Sequence, residues 1–124
     1  MKSTKKVLIF EDEKALGQVL AQKLELEGYT TKLQTNGANA LACIQEVQPD
    51  LVILDLVMPK LDGFTVLEQV KGDAELKNIP MIILSNLSQE QDMQQVKELG
   101  ANEFLVKSNT PLAEVVKKVS SYLS

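Results

Sequence analysis

Pro49-Asp50-Leu51-Val52-Ile53-Leu54-Asp55-Leu56-Val57-Met58-Pro59-Lys60-Leu61-Asp62-Gly63 holds the most informative transition in the chain, an unbroken apolar run that closes on an acid. A strand with one wet face alternates apolar and polar residues. A continuous run such as Leu51 to Leu54 instead marks a strand covered on both faces, which is the habit of parallel sheets. Pro59 and the Asp62-Gly63 pair then supply turn chemistry. Asp55 therefore stands just past the C-terminal end of a central strand, before a turn.

Working outward, Val7 to Phe10 and Met81 to Leu84 are runs of the same kind and are expected to flank it. Tyr29 to Gln34 and Phe104 to Val106 are shorter or mixed with polar residues, which suits strands nearer an edge. Helical spacing fills the intervals. It is seen in Leu16, Val19, Leu20 and Leu24 before Gly28, in Leu41, Ile44 and Val47, and in Leu67 and Val70 after Gly63. Met93 and Val96 precede Gly100, and Leu112, Val115, Val116, Val119 and Leu123 form the last stripe. Strict alternation of strand and helix predicts an α/β fold, a doubly wound five-stranded parallel sheet with helices on both faces. In such sheets a ligand binds beyond the carboxyl ends of the strands, at a topological switch point.

The 124 residues suit one domain over 1–124 with no linker. The apolar run Val7 to Phe10 is too short for a signal peptide or a membrane span and meets Glu11, Asp12 and Glu13, so a cytoplasmic location is expected. Cys43, the lone cysteine, cannot pair within the chain, and it and the four methionines are read as packing residues. All 13 basic residues are lysines, there is no histidine, and the net charge is −4. Direct nucleic-acid binding is not expected of such a surface. The lack of histidine removes a Ser-His-Asp triad, an imidazole zinc site and a phosphohistidine of the chain's own.

Past the strand ends stand Glu11 and Asp12, Asp55, Ser85 and Lys107. Three acids at one sheet edge repel one another and favour a divalent cation between them, and all-oxygen ligands suit Mg²⁺. A lysine and a hydroxyl at the same edge can hold phosphoryl oxygens, so the set is suited to phosphoryl transfer. Each residue alone has an ordinary explanation. Asp12 suits a helix N-cap, Glu11 a solvated loop, and Lys107 the surface. Their joint placement at successive strand ends is what carries the functional reading.

The strings KVLIFEDE, PDLVILDLVMPKLDG, MIILSN and GANEFLVK together resemble the signature segments of response-regulator receiver domains, over essentially the whole chain. The resemblance implies a flavodoxin-like receiver fold with strand order 2-1-3-4-5. It implies that Asp55 is the phosphoacceptor, Glu11 and Asp12 the acidic pair, and the backbone carbonyl of Val57 a fourth metal ligand. Ser85 matches the switch hydroxyl, Lys107 the phosphate-binding lysine and Phe104 the aromatic that reports the state. Asp55 would take its phosphoryl group from the phosphohistidine of a sensor histidine kinase or histidine phosphotransfer protein. The altered surface, Gln89 to Leu99 and Phe104 to Leu123, would then engage a downstream protein target. The chain would be a signalling phosphoacceptor that catalyses only its own phosphotransfer and dephosphorylation.

Glu11 replaces the family's commoner aspartate, Asn86 a small residue, and Ser108 a proline often joined by a cis bond. A cis Lys107-Ser108 bond would lie roughly 3 kcal/mol above trans. A receiver-like interaction module working without phosphorylation is the alternative these departures raise. A flavin-binding protein would share the sheet, but Glu11-Asp12-Glu13 would repel a phosphate after the first strand. No output module is present in these residues, so a stand-alone regulator touching neither nucleic acid nor membrane is expected, and without arginine for charge ladders between copies it is expected to be a monomer. Val57 and Leu87, apolar where fast-hydrolysing receivers carry polar side chains, imply a long-lived acyl phosphate.

Overall fold

The runs at 7–10, 51–54 and 81–84 form the centre of one sheet in the computed structural model, which describes residues 4–86 and 89–123. The elements follow in strict order: β1 Lys6–Phe10, α1 Lys14–Leu26, β2 Thr30–Gln34, α2 Ala40–Val47 and β3 Leu51–Leu54. Two short strands, β4 Val57–Met58 and β5 Leu61–Asp62, precede α3 Gly63–Lys71. Then come β6 Met81–Ser85, α4 Glu90–Glu98, β7 Glu103–Val106, a 3-10 turn over Lys107–Asn109, and α5 Leu112–Leu123. The main sheet is parallel in the order β2-β1-β3-β6-β7. With the small hairpin set aside this is the expected 2-1-3-4-5.

Alternation along each strand divides the core in two. Leu8, Phe10, Val52, Leu54, Met81 and Ile83 face α2, α3 and α4, whose Ile44, Leu67, Val70 and Val96 are buried against them. Val7, Ile9, Leu51, Ile53, Ile82 and Leu84 face Leu20 and Leu24 of α1 and Val115 and Val119 of α5. The strands that alternate, β2 and β7, are the edges. Val19, counted in the helical stripe, is instead 42% exposed. Met58 and Met81 are buried while Met93 is exposed, so the packing reading holds for two of the methionines described. No helix among the described residues is long and apolar enough to cross a membrane.

The sheet register sets the height of the site. Phe10 pairs with Leu54, Leu54 with Ile83, and Ile83 with Phe104. Glu11 and Asp55 thus leave the sheet at one level, Ser85 lies one residue higher, and Lys107 higher still with a side chain long enough to reach back. The β4-β5 hairpin, which the turn residues did not reveal as strands, continues from Asp55. It turns through Lys60 at φ 59°. Gly37 N–H donates to Pro59 O at 3.2 Å, tying the hairpin to the loop after β2. Asp62 caps α3, its Oδ1 accepting from Thr65 N at 3.2 Å and its Oδ2 from Thr65 Oγ1 at 2.8 Å. Gly63 opens that helix because a Cβ there would stand 2.8 Å from the Leu56 Cα.

Candidate functional site

Asp55 is only 4% exposed, yet both carboxylate oxygens are engaged. Oδ1 accepts from Ser85 Oγ at 3.0 Å and from Val57 N at 3.0 Å. Oδ2 accepts from Lys107 Nζ at 2.7 Å. The same ammonium lies 2.7 Å from Glu11 Oε1 and 2.9 Å from Oε2, with Glu13 Oε1 farther out at 3.7 Å. Glu11 is itself buried, and its Oε2 also accepts from Glu13 N at 3.0 Å. Buried carboxylates need a counter-charge, and here one lysine serves two.

Proton affinities follow from that geometry. Burial pushes the Glu11 carboxyl above the usual glutamate value, against the opposing pull of the Lys107 ammonium and the Glu13 N–H. For Lys107 burial acts to lower the affinity, but the hydrogen bonds and charges of Asp55 and Glu11 outweigh it and the net shift is upward.

All the site residues expected from sequence meet at this edge except Phe104, the aromatic expected to report the state. Glu11, Asp12 and Asp55 each bring one carboxylate oxygen within 4.8 Å of the other two. Asp12 is exposed and does not cap α1, since Glu13 holds the N-cap position. The three acids fit a small hard dication, having oxygen donors only, two walls buried and one side open to water. A cleft of about 290 Å³ lies over them, lined by Asp12, Glu13, Asp55, Val57, Ser85, Asn86 and Lys107. Ser85 is fully buried as the last residue of β6, while the Val57 side chain is 59% exposed. Phe104, the residue set apart, is half-buried against the α4 side of the core. Leu87 lies outside the described residues.

Two contacts were not read from the sequence. Glu13 stands as an outer charge on Lys107, legible only as one of three successive acids. Asn86, read only as standing in place of a small residue, accepts through its Oδ1 from the N–H of Ser108 at 3.1 Å. The Lys107-Ser108 bond is trans, there being no cis bond among the described residues.

Comparison with known proteins identifies the family. The family model described as response regulator receiver domain matches residues 7–120. The DNA-binding dual master transcriptional regulator RpaA of Synechocystis sp. is 36% identical over 82% of this chain and 42% of its own length. The transcriptional regulatory protein BaeR of Escherichia coli is 32% identical over 98% of this chain and 49% of its own. Among solved structures, the signal receiver domain of a signal transduction histidine kinase from Syntrophus aciditrophicus is 32% identical. It superposes with a TM-score of 0.86 over 97% of this chain and 90% of that one.

These relatives correct the partner expectation. A stand-alone regulator that touches no nucleic acid was expected, whereas these relatives are named as DNA-binding or transcriptional regulators. The chain spans less than half the length of each of these two. The argument from missing arginine concerned the surface of these residues alone, and a regulator that long carries further surface to which it does not apply.

Proposed function

We propose that this chain, which belongs to the family of response regulator receiver domains, takes a phosphoryl group onto Asp55 from a phosphohistidine of another protein. The observation that carries the reading is the Asp55 carboxylate, buried and held at both oxygens by a hydroxyl, a backbone N–H and an ammonium. Those three donors fix the nucleophile in one orientation and face the cleft into which a phosphoryl group would come.

In the proposed transfer an Asp55 oxygen attacks phosphorus in line, the phosphorus-nitrogen bond breaks, and the imidazole leaves with that electron pair and takes a proton. Glu11, Asp12, Asp55 and the backbone carbonyl of Val57 would hold Mg²⁺, which when bound supplies positive charge against the oxygens gathered there. Lys107 then pairs with the phosphoryl oxygens, and the Ser85 hydroxyl turns from the carboxylate to donate to one of them. These bonds exist only in the modified state, so they bias the β6-α4 segment and Phe104 toward a second arrangement. We take the domain to be 1–124, its compartment the cytoplasm, and its chemistry confined to its own phosphorylation and dephosphorylation. By likeness to the regulators named above, the output is proposed to be control of transcription.

Incubation with Mg²⁺ and acetyl phosphate, followed by intact-mass measurement, is expected to add one phosphoryl group to the native chain. No addition, together with a melting temperature indifferent to millimolar Mg²⁺, would favour an interaction module that works without phosphorylation.

A further inference from the structure

Asn86 and Ser108 are the two residues at which the cleft departs from the family's usual small residue and proline, and they are bonded to each other. Ser108 N–H donates to Asn86 Oδ1 at 3.1 Å, a bond that a proline at 108, having no N–H, could not make. The contact closes a ring. Asp55 bonds Ser85 through Oδ1 and Lys107 through Oδ2. Asn86 is the next residue after Ser85, Ser108 the next after Lys107, and their mutual bond completes the circuit.

The pairing register of β6 with β7 ends at Ser85 and Val106. Past that point the two segments leave their strands, one toward α4 and the other into the 3-10 turn that begins at Lys107. A lysine side chain has four freely turning bonds, so where its ammonium rests depends on where its backbone starts. Proline fixes the backbone at this position by its ring. Here the Asn86 amide ties the two segments directly, extending the pairing of the two strands by one more hydrogen bond.

We propose that Asn86 is a positioning residue, which through the N–H of Ser108 holds Lys107 over Asp55 and couples the movement of Lys107 to that of Ser85. The role deepens the phosphoryl-transfer reading and rests on it for its purpose, but not for its test. With the tie in place, the hydroxyl and the ammonium re-aim toward a phosphoryl group together. Without it, Lys107 wanders from the carboxylates and is reached by solvent more often.

Reaction of the native chain with acetic anhydride, followed by peptide mass spectrometry, measures how well each lysine is protected. Asn86→Ala is expected to speed modification of Lys107 by about three- to tenfold, the ratio that matches the net worth of one hydrogen bond, while Lys118 reacts as before. Asn86→Leu, which keeps the shape and drops the acceptor, is expected to do the same. Ser108→Ala keeps the backbone donor and is expected to protect Lys107 as the native chain does. Unchanged protection in folded Asn86→Ala and Asn86→Leu, or equal loss in Ser108→Ala, would overturn the proposal. Acetyl phosphate labelling of the same samples judges the functional reading separately, since a native chain that takes no phosphoryl group would sink that reading while Lys107 protection still judges this one.

Discussion

Lys107 and Lys71 stand at opposite ends of the sheet, each partly buried and each binding distant parts of the chain, and they are held by different chemistry. Lys107 meets two buried carboxylates, at 2.7 Å each. Lys71, the last residue of α3, donates to neutral oxygens only: Lys77 O at 3.2 Å, Ile79 O at 2.9 Å and Asn102 Oδ1 at 3.1 Å. Asn102 Oδ1 also accepts from Met81 N at 2.9 Å, and Asn102 N donates to Met81 O at 2.9 Å, so the knot fastens the starts of β6 and β7. Burial lowers the proton affinity of Lys71, whereas the carboxylates lift that of Lys107 despite burial. A lysine among carbonyls ties a structure together. A lysine among carboxylates can yield them to another cation or turn to another anion, and the proposed chemistry is placed at its end of the sheet.

The largest expected contrast is in phosphorylation. Asp55→Asn replaces the nucleophile and leaves the shape, so labelling by acetyl phosphate is expected to fall below detection while circular dichroism is unchanged. Lys71→Met is expected to label at the native rate. Retained labelling in the first variant, or a lost reaction in the second, would erase the distinction between the two ends.

Stability comes next. Lys107→Met strips the counter-charge from two buried carboxylates and is expected to lower unfolding free energy by about 3 kcal/mol in Mg²⁺-free urea titrations. Millimolar Mg²⁺ is expected to restore part of the loss. Lys71→Met takes this donor from Lys77 O and Ile79 O, while Asn102 Oδ1 keeps the Met81 N–H, and is expected to lower stability by about 1–2 kcal/mol, with or without Mg²⁺. A Mg²⁺-sensitive loss in Lys71→Met would show that the ends are coupled.

The smallest contrast is in pH dependence, where the two lysines have opposite signs. Lys107 binds its proton more tightly when folded, so its contribution is complete below 10.5 and is lost as pH rises through the higher folded value. Lys71 binds more weakly when folded, so stability rises as pH climbs through its lowered value toward 10.5. Glu11, raised from 4.5, favours the fold below that pH, and this contribution fades as pH rises through its folded value. Melting curves of the two lysine variants against pH are expected to differ from the native curve in opposite directions.

What the sequence disclosed and withheld follows from the range of each interaction. Leu51 to Leu54 and Met81 to Leu84 announce buried parallel strands because burial on both faces is written in consecutive residues. Glu11, Asp55 and Lys107 could be placed together because a parallel sheet brings successive strand ends to one edge. The β4-β5 hairpin was not legible, being only two residues per strand and shaped by Lys60 in a left-handed conformation. Lys71 with Asn102, and Asn86 with Ser108, join residues 31 and 22 positions apart, with no periodicity to mark them. Such side-chain ties become visible only when the backbone has set the distance.

α4 supplies the remaining consequence. Among its described residues Val96 alone is buried, whereas α3 buries Gly63, Val66, Leu67 and Val70. Burial of one valine amounts to roughly 1.5–3 kcal/mol, a small hold for a helix that follows directly on the Ser85 strand. Its amides are therefore expected to open and exchange with deuterium sooner than those of α3, by local fluctuation and not by global unfolding. The helix next to the proposed phosphorylation site thus buries fewer residues than α3, so a change of a few hydrogen bonds at Asp55 is expected to shift it more readily than α3.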